Sequence, residues 1–154
     1  MRSLHLPFLL VAIAFLLAPW ARANEVEEAL AGLNRAITER NEAAVATAFA
    51  SDAKIEVFWI TEQGPGTKTM TVKEYAKYIV AAWPDAVAIE RISKIVEQKP
   101  LPAGEVGLKV ETTEKVTHGK GVKGAATNVW PETLVLTVKD KTAKIRSYSQ
   151  SPPK

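Results

Sequence analysis

The sequence predicts an α+β domain, with three N-terminal helices packed in the concave face of a strongly curved, mainly antiparallel sheet. Two observations carry this. Apolar residues recur at helical spacing in three stretches before Pro84, and they alternate along four long runs after it. The third helix alone is too short to cover those runs, so the sheet must curl round the helices and its long hairpins must bend.

Val26, Leu30, Leu33 and Ile37 mark the first helix, residues 24–40, with Asn24 and Glu27 placed as a reciprocal cap. Asn41 caps a second helix, 42–50, whose apolar side is Val45, Ala48 and Phe49. Ala50-Ser51-Asp52-Ala53 reads as a turn, with Asp52 accepting backbone N–H groups; a catalytic carboxylate is the alternative role. A strand over 54–60 sets Ile55, Val57 and Trp59 on one face and Phe58 and Ile60 on the other, so both faces are expected to be covered at least in part. Gly64-Pro65-Gly66 reads as a turn and 67–70 as a short strand. Thr71 and Glu74 form a capping box for the third helix, which Pro84 stops. From Val87 to Glu97 the alternation slips, which predicts a bulge. Residues 99–104 form a loop. Residues 106–117 and 128–139 alternate cleanly on either side of a Gly-rich connection. Asp140-Lys141 makes a tight turn into a last strand, 143–150, and 151–154 form a tail.

Residues 1–23 read as a signal peptide. Arg2 is followed by an apolar run to Leu17 and the small-residue triplet Ala21-Arg22-Ala23. That run is shorter than the roughly 20 residues a bilayer span needs. Cleavage after Ala23 is expected, leaving one domain, 24–150, in a bacterial periplasm or secreted space. Removing Arg2 and Arg22 leaves 18 basic against 17 acidic residues. A near-neutral chain with interspersed charges has no electrostatic footprint for nucleic acid. No membrane association is expected once the signal is gone. The chain has no cysteine, which excludes disulfides, thiolate metal sites and a Cys nucleophile.

Leu33-Asn34-x-Ala36-Ile37, Asn41-x-Ala43-Ala44-Val45 and Phe49-Ala50-x-Asp52-Ala53 together resemble the start of the nuclear transport factor 2-like superfamily, which includes the SnoaL-like cyclases, the ketosteroid isomerases and the scytalone dehydratases. The later order is similar, down to Glu74-Tyr75 in the third helix and Lys144-Ile145 in the last strand. The resemblance implies a cone: a curved sheet wrapped over helices, with a cavity at the wide end. Some members are enzymes and many only bind ligands or partners, so function must come from the site.

Gly119-x-Gly121-x-x-Gly124 matches a dinucleotide fingerprint in letters only, because no helix or parallel unit follows it. His118 is the single histidine left after cleavage, so a multi-His metal site is excluded, and it reads as a solvated turn residue. No metal or cofactor is expected. Glu132 shares a strand face with Trp130, Leu134 and Leu136, and Glu114 shares one with Val110, Thr112 and Val116. Pairing across the 118–126 connection is expected to place Glu114 opposite or diagonal to Glu132. The bland reading has both in water where the sheet outruns its helices. The functional one makes them a general acid or base in an apolar pocket. Trp59, Tyr75, Trp130 and Tyr148 are the candidate ligand-binding aromatics.

Three functions follow as expectations. The first is a small apolar or aromatic ligand held in the cone without chemistry. The second is a cofactor-free isomerase, dehydratase or cyclase using Glu132 or Glu114. The third is a homodimeric interaction module joined through the outer sheet face, against which the charged row Lys109, Glu111, Thr113 and Lys115 argues mildly.

Overall fold

The structure, a computed structural model, describes residues 6–119 and 125–154, with side chains from residue 22 onward. Helix α1 runs Leu6–Thr38 and α2 Glu42–Ala48; strands β1 and β2 run Phe49–Thr61 and Gly64–Met70. Helix α3 spans Val72–Ala81. Strands β3, β4, β5 and β6 span Ala86–Pro100, Glu105–His118, Ala125–Lys139 and Thr142–Gln150. The six strands form one open sheet in the order β2-β1-β6-β5-β4-β3. Every pairing is antiparallel except β1 with β6. The three helices pack against this mixed sheet as the α+β cone requires. Among the described residues no helix is long and apolar enough to cross a membrane.

Local chemistry explains the helix ends. Helix α1 ends in a Schellman motif: Asn41 N–H donates to Ala36 C=O at 2.8 Å and Arg40 N–H to Ile37 C=O at 3.0 Å. Arg40 holds the left-handed position, with φ of 54°. Its guanidinium offsets that strain by donating to the carbonyls of Trp83 at 3.0 Å and Ala86 at 2.6 Å. The motif's last residue, Asn41, then caps α2 by accepting from Ala44 N–H at 3.0 Å. The Thr71–Glu74 capping box opens α3 as the sequence predicts, and the Thr71 backbone N–H holds the Glu74 carboxyl below its ordinary value.

Several expectations change. Helix α1 begins at Leu6, so Asn24 lies inside it rather than capping it. The four residues read as a turn, 50–53, lie within β1, which starts directly at the end of α2. The parallel register with β6 slips there: Phe49 pairs with Ile145 but Lys54 with Ser147. The extra residues bulge outward, and no chain reversal is needed. Asp52 is exposed and paired with Arg146 at 3.2 Å, not an Asx-turn acceptor. The β1–β2 turn is Glu62-Gln63 rather than Gly64–Gly66, because Thr61 already pairs with Gly64. The second face of β1 is covered only in part, as expected: Phe58 is half-buried and Ile60 is 74% exposed. His118 ends β4, half-buried and edge-on to the Trp83 ring at 6.2 Å.

Other readings hold. Asp140 and Lys141 both take positive φ, 50° and 59°, the geometry of a two-residue hairpin turn. Strand β3 carries register shifts at Ala86/Ala88 and Ile95/Glu97. The tail follows β5, with Ser151 N–H on Pro131 C=O and Lys154 N–H on Val129 C=O. Most of the Gly119–Gly124 stretch lies outside the described residues.

Candidate functional site

Strand alternation sends one row of each strand inward. On β3 that row is Ile89, Arg91, Ser93 and Ile95; on β4 it includes Thr112 and Glu114; on β5 it includes Trp130, Glu132 and Leu134. Register then sets the neighbours. Arg91 is opposite Glu114, Ser93 opposite Thr112, and Thr112 opposite Trp130. Glu132 is opposite Val110, so Glu114 is neither opposite nor diagonal to it. A buried arginine brings the two carboxylates together instead.

Arg91 uses three sides of its guanidinium. Nη1 donates to Glu114 Oε2 at 3.0 Å, Nη2 to Glu132 Oε1 at 2.5 Å, and Nε to Asn34 Oδ1 of α1 at 3.1 Å. Tyr148 Oη donates to Glu132 Oε1 at 2.7 Å and Thr112 Oγ1 to Glu132 Oε2 at 2.8 Å. Proton counting gives the rest a direction. Because Thr112 donates to Glu132, the 2.8 Å contact between Ser93 and Thr112 takes its proton from Ser93, which accepts from Asn34 Nδ2 at 2.9 Å. The expectation that both carboxylates stand in water is overturned: Glu114 is 3% and Glu132 4% exposed. Strand Glu survives burial only with partners, and Arg91 is the partner that alternation alone does not reveal. Burial pushes the guanidinium down, but Glu132 foremost, then Tyr148, Tyr75 and Glu114, outweigh it and hold it charged above its ordinary value.

The two carboxylates are not equivalent. Glu132 accepts three hydrogen bonds across both oxygens; Glu114 accepts one. The network holds one more acid than base.

The four candidate aromatics separate into two groups. Tyr75 and Tyr148 are fully buried, their rings 5.3 Å apart and both edge-on to Phe49. They belong to the core, and the Tyr75 hydroxyl finds no hydrogen-bond partner among the described residues. Trp59 and Trp130 are half-buried instead. With Phe58, Ile60 and Tyr78 they line a shallow cup of about 300 Å³. Trp59 and Tyr78 lie 5.3 Å apart at 53°, and Lys68 Nζ sits 4.3 Å over the Trp59 ring. Glu114 is diagonal to Trp130 by register, and Tyr78 is raised by burial and then by the Glu114 charge. The cup and the ion network are therefore neighbours. Phe58, Ile60 and Tyr78 complete the cup without being among the candidate ligand-binding residues; for Tyr78, its place beside Tyr75 in the aromatic set of α3 is the available signal. Among the described residues no group of three His, Cys, Asp or Glu is placed to hold a metal ion.

Burial pushes the Tyr75 and Tyr148 phenols well above the usual tyrosine range, and Glu132 adds to this at both. In the unfolded chain they ionise near pH 10. Below that pH both states are protonated and this contribution is fully present. Above it the unfolded chain ionises first, so stability should fall by about 1.4 kcal/mol per pH unit per tyrosine. Urea midpoints measured from neutral pH to strong alkali check this. A Tyr148→Phe chain should show a shallower decline, and equal slopes would refute the assignment.

An open cone with its helices in the concave face, a polar network inside and an aromatic cup beside it defines the class: the fold is that of the nuclear transport factor 2-like superfamily. No protein-family model and no curated protein matches the sequence. Solved structures do. Hexachlorocyclohexane dehydrochlorinase LinA-type3 from Novosphingobium barchaimii matches with a TM-score of 0.66 at 16% identity, over 90% of this chain and 93% of that one. A scytalone dehydratase-like protein from Novosphingobium aromaticivorans matches at 0.67 and 9% identity, over 89% and 87%. The Kfla4162 protein from Kribbella flavida matches at 0.69 and 10% identity, over 89% and 95%.

Proposed function

We propose that this protein binds a small apolar or aromatic molecule in the cup at Trp59, Tyr78 and Trp130, acting in the periplasm or outside the cell after loss of residues 1–23. The observation that carries the reading is the grouping of half-exposed rings round a cavity of about 300 Å³, beside a rigid polar network. Apolar walls with a few fixed polar groups suit a small ligand. A dehydrochlorinase and a scytalone dehydratase-like protein share the fold, which supports a small molecule as the thing handled. Glu132, with three donors on its oxygens, serves as a fixed part of the buried network behind the cup rather than as a base. Native mass spectrometry of protein taken from its own periplasm should reveal a bound small molecule. Titration with the apolar aromatic probe ANS should saturate, and Trp130→Ala should weaken it by roughly tenfold without moving the melting temperature. Bare protein together with no saturable ANS binding would sink the reading.

A second reading, a cofactor-free isomerase, dehydratase or cyclase, is favoured by one observation. Glu114 has a single hydrogen bond and stands next to the cup. It requires the bound molecule to be rearranged or to lose atoms, and Glu114→Gln to stop that change. A ligand recovered unchanged in both mass and proton NMR spectrum after incubation excludes it.

A further inference from the structure

Among the described residues, three of the four exposed large hydrophobic side chains lie on one strand: Val87 at 70%, Ile92 at 69% and Val96 at 58%. That strand is β3, and it is an edge of the sheet. A long edge with apolar side chains offers a template for another strand, and stable proteins cover such edges. A groove of about 630 Å³ runs beside it, between α1 and β3. Its β3 wall includes Arg91, Ser93 and Ile95 from the inward row and Ile92 from the outward row. It therefore follows the free edge itself rather than one face.

The edge is also self-complementary. Two copies of one strand paired antiparallel about a two-fold axis normal to the sheet must match like faces, so the axis passes beside a residue and its own copy. Placing it at Arg91 sets two guanidinium-bearing residues opposite each other. Placing it at Ser93 sets Ile92 opposite Lys94 and Glu90 opposite Val96. Placing it at Ile92 sets Ile92 against Ile92 and Glu90 against Lys94 twice. On the inner face it sets Ile89 against Ile95. Opposite charges and apolar pairs directly across a ladder are the stabilising combinations. Residues 88–95 keep unbroken register with β4, so the pairing segment is regular, and Glu90 has only a long 3.8 Å contact with Lys115 in its own chain.

We infer that β3 is the interface between two copies of this chain, paired antiparallel about Ile92 to make one continuous sheet, with the inward side chains of each added strand entering the other's groove. Dimerisation thus uses the sheet edge, not the charged outer face of β4.

The chain has no cysteine, so single-cysteine variants report the interface directly. Opposed residues of an antiparallel pair lie about 4.5–5.5 Å apart at Cα, within disulfide range. Ile92→Cys should link into a covalent dimer on mild oxidation. Thr113→Cys, its neighbour on the outer face of β4, should not. Lys94→Glu should weaken the dimer by at least tenfold in native mass spectrometry, and Glu90→Lys with Lys94→Glu should restore it. The inference fails if the unmodified chain stays monomeric at millimolar concentration. It also fails if Thr113→Cys links faster than Ile92→Cys, or if the double exchange is as weak as the single one. A dimer that survives all these changes, or a monomer whose β3 captures some other chain, overturns it equally.

Discussion

Replacing Arg91 with methionine is expected to destabilise the fold by about 3–5 kcal/mol, because it leaves two buried carboxylates without their shared cation. Methionine keeps the apolar stem of the side chain, so only the space left by the guanidinium adds a cavity contribution. Glu114 and Glu132 are 3% and 4% exposed, and water reaches neither well. Against a total of about 5–15 kcal/mol for a domain, this is a large share, and the melting temperature should fall by roughly 10–20 °C. The origin of the loss can be checked separately. Adding Glu114→Gln and Glu132→Gln to Arg91→Met removes the unpaired charges and should recover part of the stability. A loss below about 1 kcal/mol for Arg91→Met would mean the network behaves as a solvated surface cluster.

The second large effect is an asymmetry. Glu132→Gln should cost about 2–4 kcal/mol, since three donors converge on that carboxylate and one of them is the guanidinium. An amide puts an N–H group either where Arg91 and Tyr148 donate or where Thr112 donates, and in the second case the direction of the Asn34–Ser93–Thr112 chain must reverse. Glu114→Gln should cost less than about 1 kcal/mol, because Arg91 keeps Glu132 and Asn34, and the excess acid is relieved. Urea denaturation of the two variants at neutral pH decides it. Equal costs would show that Glu114 is as deeply built into the network as Glu132, and would remove its distinction as the less committed of the two carboxylates.

Much of this architecture is legible in residues alone. Thr71 and Glu74 announce α3, Asn41 announces α2, and Asp140-Lys141 marks the last hairpin, because capping and turn chemistry act within a few residues. The inward rows of β4 and β5 are readable because their apolar residues alternate without interruption, and that alternation by itself assigns Glu114 and Glu132 to apolar strand faces. The joint after α2 is misread, since Ser51-Asp52 has turn composition and the strand there bulges only because β6 runs beside it in parallel.

Arg91 is hidden for a different reason. The two rows of β3 are nearly equivalent as text. Ile89, Arg91, Ser93 and Ile95 alternate with Glu90, Ile92, Lys94 and Val96, and each row mixes apolar with polar residues. Periodicity says that the rows face apart and cannot say which faces in. Partners distant in sequence settle it: Asn34 lies 57 residues away, Glu114 23 and Glu132 41. Sequence by itself determined the elements, their caps and the strand faces, all set by local backbone chemistry and alternation. Tertiary structure alone decided that an arginine goes inside and isoleucine and valine stay out on the edge, because burying a guanidinium is favourable only where carboxylates from other strands meet it.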